Sequence, residues 1–361
     1  MKKWISILLG FLLLLIIVPL IIFYYSYCGV SPLSCGSYET NENSRTQKIN
    51  VGSGPEDMAI DSSAGLMRII VSCADRRDDG EQKNGFYSID LIDDQVKRLT
   101  IIPSEMEIHP HGIDVVSIGD QTFLYAISHD GPSDDRRHSI YRFEIHGDTL
   151  RLDSDHVLSD DLMTGPNDLD VLEDGSFYVS NPMPSDDPME STKSILGIKN
   201  GNVLHYDGKG SWSLAIEKLC YPNGVWANQK DGYLFVANGG CQEINRYKLA
   251  KKGIEKDNHI STRQHDIKIP IGDNLLMDHE GVLWTASHPC PLKFLNHAKD
   301  PDNKSPMQVY AIDPMTLKSN MVFQNEGDLI SAASTVMHIN DKLYISQVFD
   351  PFVLVVENWT D

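Results

Sequence analysis

Basic residues are few in this sequence. Lys and Arg together number 31 against 51 Asp and Glu, which gives a formal net charge of −20 and a pI near 4.9. Nucleic acids and anionic lipid surfaces attract proteins through clustered positive charge. The composition therefore excludes nucleic acid as a partner and favours solubility or the binding of cations.

Familiar catalytic motifs are also missing. The chain contains no Gly-x-Ser-x-Gly elbow, no Walker loop, no Gly-x-Gly-x-x-Gly fingerprint and no His-Glu-x-x-His pair. These absences exclude the common serine hydrolases, P-loop enzymes, dinucleotide enzymes and zincins. Any active site must therefore work by other chemistry.

Cysteine is scarce, and the six residues show no Cys-x-x-Cys pair and no metal-ligand spacing. A structural zinc site is therefore not expected. Cys220 and Cys241 flank one predicted hairpin, where they either form a disulfide or remain two isolated buried thiols. The sequence leaves both outcomes open.

One long apolar run is present, from Trp4 to Tyr25, and as a helix its 22 residues would span about 33 Å, enough for a bilayer core. Lys2 and Lys3 precede it and no basic residue follows before Arg45. The positive-inside rule then places the amino terminus in the cytoplasm and the rest of the chain on the far side. The alternative is a cleaved signal peptide, which calls for a shorter apolar stretch and a small-x-small cleavage site, and would give a secreted protein.

We therefore expect a cytoplasmic tip and signal-anchor helix at residues 1–25, a tether at residues 26–45 and one extracytoplasmic domain at residues 46–357. Extracytoplasmic here means lumenal, extracellular or periplasmic. The protein should stay in membranes after alkaline carbonate extraction. Recovery of a soluble form that starts near residue 26 to 30 would favour the signal peptide instead.

Six stretches of the domain resemble one another, each with a polar residue at the same place before an alternating apolar run. These residues are separated by 55, 56, 56, 50 and 61 positions, and they are Glu56, His111, Asn167, Asn223, Asp273 and Ser334. A repeat of this period without helical signal is typical of a β-propeller with about four strands per blade. The sequence predicts an all-β, six-bladed propeller in which the six polar residues meet at the central channel.

Five of the side chains expected at this point offer only oxygen ligands: Glu56, Asn167, Asn223, Asp273 and Asn274. Ca²⁺ takes about six to eight oxygens in adaptable geometry, whereas Mg²⁺ demands a stricter octahedron and zinc favours His or Cys. The set predicts a calcium site on the propeller axis.

Asp57 and Asp168 follow two of these residues directly. Because successive side chains of a strand point to opposite faces, they are not expected to share the same ion. Two buried carboxylates without a nearby cation are costly to ionise, so a second, deeper calcium is predicted there. The alternative is that both residues only hydrogen-bond backbone amides.

Two histidines are candidates for acid–base chemistry. His111 stands at the channel position of its repeat and His129 ends the following strand. An imidazole beside a metal-bound carbonyl can act as a general base near neutral pH. A purely structural role remains the alternative for both, and it is the one favoured for His109.

Together and in this order, the motifs resemble the paraoxonase/arylesterase family of calcium-dependent lactonases across about residues 46–357. The motifs are Glu56-Asp57, Pro110-His111-Gly112-Ile113, His129, Pro166-Asn167-Asp168, Asn223-Gly224, Asp273-Asn274 with His288-Pro289, and Ser334-Thr335-Val336. The resemblance implies a six-bladed propeller with two calcium ions in its tunnel. An uncleaved hydrophobic amino terminus is also a habit of the family.

The resemblance assigns roles to individual residues. The positions matching the catalytic calcium ligands are Glu56, Asn167, Asn223, Asp273 and Asn274. The structural calcium would be held by Asp57, Asp168 and the carbonyl of Ile113. His111 and His129 match the family's proposed histidine dyad.

The chain departs from the family pattern at several positions. Pro182 stands after Asn181, where the family carries an acidic residue, so whatever orients the histidine dyad differs here. Tyr221 with Pro222 reshapes one pocket wall. No Cys follows Cys290, so propeller closure should rest on strand pairing alone rather than on the disulfide of the vertebrate members.

Three functions follow from these observations. The first is hydrolysis of small-molecule lactones and aryl esters, with organophosphate hydrolysis not assumed. The second is a propeller hydrolase of the gluconolactonase or strictosidine-synthase-like type, which would prefer sugar lactones. The third is a propeller that only binds partners, because fold alone does not fix function.

Overall fold

The computed structural model describes most of the chain, namely residues 4, 10–20, 36–40, 43–77, 84–131, 137–182, 198–228, 230–249 and 263–359. Among these residues, none belongs to a helix long and apolar enough to cross a membrane. The predicted signal anchor at residues 1–25 lies partly outside the described residues, and residues 10–20 of it are helical.

Within the described residues, 25 strands form six sheets, five with four strands and one with five. The innermost strand of each sheet contacts the innermost strand of the next, and the sixth contacts the first. The sheets therefore form a closed ring around a central tunnel. The predicted all-β, six-bladed propeller is confirmed.

The chain begins the propeller with β1 (Arg45–Asn50). The first three blades contain β2 (Pro55–Asp61), β3 (Arg68–Cys73), β4 (Gly85–Asp90) and β5 (Val96–Arg98); β6 (Thr100–Ile102), β7 (Pro110–Ile118), β8 (Gln121–Asp130), β9 (Arg137–His146) and β10 (Thr149–Leu158); and β11 (Leu169–Val171), β12 (Phe177–Asn181), β13 (Gly201–Tyr206) and β14 (Trp212–Leu219).

The other three blades contain β15 (Pro222–Asn228), β16 (Tyr233–Asn238), β17 (Glu243–Lys248) and β18 (Arg263–Lys268); β19 (Gly272–Met277), β20 (Leu283–Ser287), β21 (Met307–Ile312) and β22 (Ser319–Asn325); and β23 (Ala333–Ile339), β24 (Lys342–Gln347) and β25 (Phe352–Glu357). A helix, α1 (Pro291–Lys299), follows β20. Two 3-10 turns, Ser63–Gly65 and Gly239–Cys241, lie in the loops of the propeller.

Strand pairing closes the ring. β1 pairs antiparallel with β25, from Arg45 opposite Glu357 to Asn50 opposite Phe352, so the first strand completes the last blade. The expected closure by strand pairing is therefore present. Cys290, just before α1, is in addition disulfide-bonded.

Cys220 and Cys241, whose pairing the sequence left open, form a disulfide. It joins the residues before β15 to the turn between β16 and β17 within one blade. Cys73 is free and buried, and its burial raises the pKa of the thiol. This thiol is therefore protonated and unreactive at neutral pH.

Part of the predicted tether lies against the propeller. Tyr38 is buried and its backbone amide donates a 2.6 Å hydrogen bond to Glu326, while the Asn325 side-chain amide donates to Thr40 Oγ1 at 2.9 Å. These contacts attach residues 36–40 to the end of β22. The absence of periodicity in this segment gave no indication of such docking.

The core lies between neighbouring blades rather than in one central cluster. One group of buried side chains joins the first and second blades around Phe86 and Phe143, and another joins the first and sixth around Ile69 and Val353. Middle strands are buried on both faces because each sheet is covered on two sides, and all six residues of β3 are buried. This packing holds the inner strands, and the residues at their beginnings, in fixed positions.

Candidate metal and catalytic site

The predicted polar residues all lie at or just before the start of an inner strand. Five of the six inner strands, β2, β7, β15, β19 and β23, begin with a break in pairing register at those residues. Such bulges re-aim side chains and are frequent beside active sites. The bulge between Pro55 and Asp57 therefore interrupts the strict alternation of side chains that predicted opposite faces for Glu56 and Asp57.

Glu56 is the centre of this group and is 2% exposed. Its Oε1 accepts hydrogen bonds from Ser334 Oγ at 2.9 Å and Asn274 Nδ2 at 3.2 Å, and it lies 3.5 Å from His111 Nε2. Burial raises the pKa of this carboxyl, but His111 and then Arg76 oppose the effect and bring the pKa down to about 2. Glu56 is therefore ionised at neutral pH.

Four buried side-chain oxygens around Glu56 have no hydrogen-bond partner among the described residues. They are Oε2 of Glu56, which lies 4.0 Å from Arg76 Nη2, and Oδ1 of Asn167, Asn223 and Asn274. Leaving a buried oxygen unpaired costs about 1–3 kcal/mol, so four in one place call for a compensating cation. All four belong to the predicted calcium set, and hard oxygens of this kind suit Ca²⁺.

Asp273, the fifth predicted ligand, is buried and paired with a histidine. Its Oδ2 lies 2.8 Å from His288 Nε2, and the other ring nitrogen of His288 has no hydrogen-bond partner among the described residues. The ring packs on Phe294 of α1, with centroids 4.5 Å apart. His288 thus orients Asp273 as the histidine or carboxylate partners of metal ligands commonly do.

Two glycines allow the inner strands to approach closely enough to form the site. A Cβ at Gly112 would lie 2.5 Å from the carbonyl oxygen of Asn167, and one at Gly224 would lie 2.5 Å from that of Asp273. Both contacts are with backbone, which cannot move aside without displacing a predicted ligand. The Gly after His111 and after Asn223 is therefore a packing requirement of the site.

A second layer of carboxylates ties neighbouring inner strands together. In each of these carboxylates, one or both oxygens accept hydrogen bonds from backbone amides, and one of these amides belongs to the next blade. The bonds from the next blade are those to Asp57 from Ile113 at 2.7 Å, to Asp114 from Val171 at 2.8 Å, to Asp168 from Val225 at 2.8 Å and to Asp170 from Ala227 at 3.0 Å. The amide bonds considered as the alternative for Asp57 and Asp168 are thus present. Each carboxylate retains acceptor capacity for a cation, since two oxygens offer about four lone pairs.

Burial and mutual repulsion raise the pKa values of these carboxyl groups. The pKa of Asp57 is raised to about 8, first by burial and then by the charge of Glu56, and that of Asp168 is raised by burial and by Asp57. Burial also raises the pKa of Asp114 to about 7. A bound cation would reverse this preference for the protonated form.

We predict that the calcium-free protein becomes less stable as the pH rises from 5 to 8. A carboxyl whose pKa is raised on folding stabilises the fold below its unfolded pKa, and that stability is lost as the pH passes its folded pKa. Asp57 and Asp114 both titrate within this window, whereas Glu56, with a lowered pKa near 2, does not change in it. Protein stripped of calcium and melted by calorimetry in calcium-free buffer should lose roughly 5 °C or more. A flat or rising melting temperature would contradict this account of the tunnel.

The two predicted catalytic histidines are in contact, and a third extends them. His111 Nδ1 lies 2.8 Å from His129 Nε2, and His129 Nδ1 lies 2.8 Å from His138 Nδ1. At the other end, His111 Nε2 lies 3.2 Å from Asn167 Nδ2. His138 was missed by sequence reasoning because it lies in β9, outside the repeated register of the inner strands.

A second group of possible metal ligands lies outside this site. It consists of Asp278, Glu280 and His338, whose ligand atoms are within 4.8 Å of one another. The Asp278 carboxylate is already engaged by the protein. Its Oδ2 accepts a hydrogen bond from Trp284 Nε1 at 2.8 Å and lies 2.9 Å from His338 Nδ1, while Oδ1 accepts the amide of Glu280 at 2.9 Å. We therefore place the candidate metal site at Glu56 and not here.

Comparisons with solved structures find the same fold at low identity. A gluconolactonase from Xanthomonas campestris gives a TM-score of 0.56 at 16% identity, covering 90% of this chain and 95% of its own. A luciferin-regenerating enzyme gives 0.57 at 11% identity, covering 88% and 96%. Regucalcin from Agrobacterium tumefaciens, described as a calcium-binding protein, gives 0.50 at 12% identity, covering 85% and 93%.

No curated protein matches the sequence. The arylesterase family model, in contrast, matches residues 80–354, which is most of the chain and includes five blades and the outer strands of the first. Glu56 and Asp57 precede the matched residues, and the structure places them with the motifs that lie inside the match. The chain therefore belongs to the arylesterase family, and with it to the hydrolases.

Proposed function

We propose that the protein hydrolyses lactones and, more weakly, aryl esters in a calcium-dependent reaction. The observation that carries the proposal is the group of four unpartnered oxygens on Glu56, Asn167, Asn223 and Asn274, directly beside an imidazole. Membership of the arylesterase family supports the reaction class. A propeller that only binds partners has no need of such a group.

The catalytic calcium would be held by those four residues together with Asp273. Calcium bound there would supply an electrophile that polarises an ester carbonyl and stabilises negative charge on its oxygen. A second ion would be held by Asp57, Asp168 and the Ile113 carbonyl. Two ions are proposed because Glu56 and Asp57 repel each other when both carboxylates are ionised.

His111 is the proposed general base. Its Nε2 faces Glu56 and Asn167, so a water positioned beside the calcium ligands can give its proton to that nitrogen. Taking up this proton converts His111 to an imidazolium. Its Nε2 lies 3.5 Å from the Glu56 carboxylate, which stabilises the positive charge. The hydroxide equivalent adds to the carbonyl carbon, the ring C–O bond breaks, and the released alkoxide takes the proton back.

The substrate class is tested with a lactone panel monitored by proton release at pH 7 to 8.5. We expect turnover of five- and six-membered aliphatic lactones and slower hydrolysis of phenyl acetate. Turnover of sugar lactones with none of aliphatic lactones would favour a gluconolactonase-like activity. Inactivity on all of them by protein that binds calcium would favour a binding function instead.

A further inference from the structure

His129 is oriented by another histidine. The two residues lie directly opposite each other on β8 and β9, and their rings meet edge to face with centroids 4.9 Å apart. Asp130, the nearest carboxylate in sequence, is engaged elsewhere, since its oxygens accept hydrogen bonds from Ser128 Oγ at 2.5 Å and Tyr141 Oη at 2.8 Å. His129 Nδ1 lies 2.8 Å from His138 Nδ1.

We propose that His138 is a positioning residue that fixes the tautomer and ring orientation of His129, and through it those of His111. The proposal rests on the proposed function, because it concerns how the base of that reaction is set. A carboxylate commonly takes this place in histidine-dependent sites. Here the orienting acceptor is the imidazole of His138.

The tautomers follow from the contacts, starting at Asn167. Its side-chain nitrogen can only donate and lies 3.2 Å from His111 Nε2, nearer than Glu56 Oε1 at 3.5 Å, so in the proposed arrangement His111 Nε2 is an acceptor and the His111 proton is on Nδ1. His111 Nδ1 then donates to His129 Nε2, which leaves the His129 proton on Nδ1. That proton is donated to His138 Nδ1, so His138 carries its own proton on Nε2.

This arrangement has a chemical consequence. With His138 as acceptor, the favoured tautomers place the lone pair of His111 on Nε2, the nitrogen that faces the calcium ligands Glu56 and Asn167. Without that acceptor, His129 can carry its proton on Nε2, opposite the proton on His111 Nδ1. His111 would then rotate or change tautomer, and its base would no longer face the tunnel.

Two substitutions separate the hydrogen bond from mere packing. His138→Phe keeps a planar ring of similar size without an acceptor, whereas His138→Asn keeps an oxygen near the position of Nδ1. We expect His138→Phe to lower kcat about tenfold to a hundredfold with little change in KM. His138→Asn should recover most of kcat. His146→Phe is the matched control, since His146 is 55% exposed and its ring nitrogen pairs with Glu144, outside the site.

The closing experiment is NMR of protein labelled with ¹⁵N-histidine, which distinguishes protonated from unprotonated ring nitrogens without any turnover. We expect His129 to be protonated on Nδ1 in the native protein and in His138→Asn, and to show a mixture of tautomers in His138→Phe. An unchanged His129 tautomer in His138→Phe would overturn the proposal, as would equal kcat in the native protein and both variants. Because the tautomers are read without substrate, an inactive native protein would count against the proposed function alone.

Discussion

Asp273→Asn is expected to cause the largest loss of activity of any single substitution in the site. It removes one of the two carboxylates among the five proposed calcium ligands while preserving the shape of the side chain. It also replaces the anionic partner of His288 Nε2, now 2.8 Å away, by a neutral amide. The loss weakens the ion that would stabilise the developing oxyanion.

We expect kcat/KM for a lactone to fall about 10³-fold or more at micromolar calcium, with partial recovery at millimolar calcium. The measurement is initial rate against calcium concentration, with Asp302→Asn as the control because Asp302 is exposed and outside the site. Equal calcium dependence of Asp273→Asn and the native protein would show that this residue is not a ligand.

His111→Gln is expected to have the second-largest effect. A positioned general base typically contributes about 10²–10⁴ in rate, and glutamine retains a polar end without a basic nitrogen. The loss should fall on kcat, because the proposed ligands are other residues and calcium binding should persist. His129→Gln should be milder, since a water can replace a group that acts through His111.

Calcium binding by His111→Gln is checked by calorimetric titration alongside the rate. His146→Gln provides the matched control on an exposed histidine. Native-like kcat in His111→Gln would assign the base to another residue, and loss of calcium binding would mean that His111 serves the metal site rather than the proton transfer.

The repeat made the fold and the location of the site predictable. An interval of about 56 residues fixes one blade, and equivalent positions of closed repeats meet on the axis, so Glu56 and Ser334 could be placed together although they are 278 residues apart. Ring closure brings the two side chains together, and Ser334 Oγ donates a 2.9 Å hydrogen bond to Glu56. The pairing of the first strand with the last blade follows from the same geometry.

Other features depend on contacts that no repeat encodes. The bulges at the inner strands break the alternation expected for Glu56 and Asp57, because a bulge depends on the two strands that form it. His138 becomes adjacent to His129 only through the register of β8 with β9. The docking of Tyr38 and the Cys220–Cys241 disulfide likewise arise from tertiary contacts.

The central claim is that hydrolysis needs the calcium held at the tunnel oxygens, and one measurement tests it directly. Proton release from an aliphatic lactone is followed with protein stripped of metal by EGTA, and again after stepwise return of Ca²⁺ or Mg²⁺ in metal-free buffer. The account predicts no detectable turnover after stripping, full recovery with calcium and little with magnesium. Undiminished turnover in protein shown by elemental analysis to contain no calcium would contradict it.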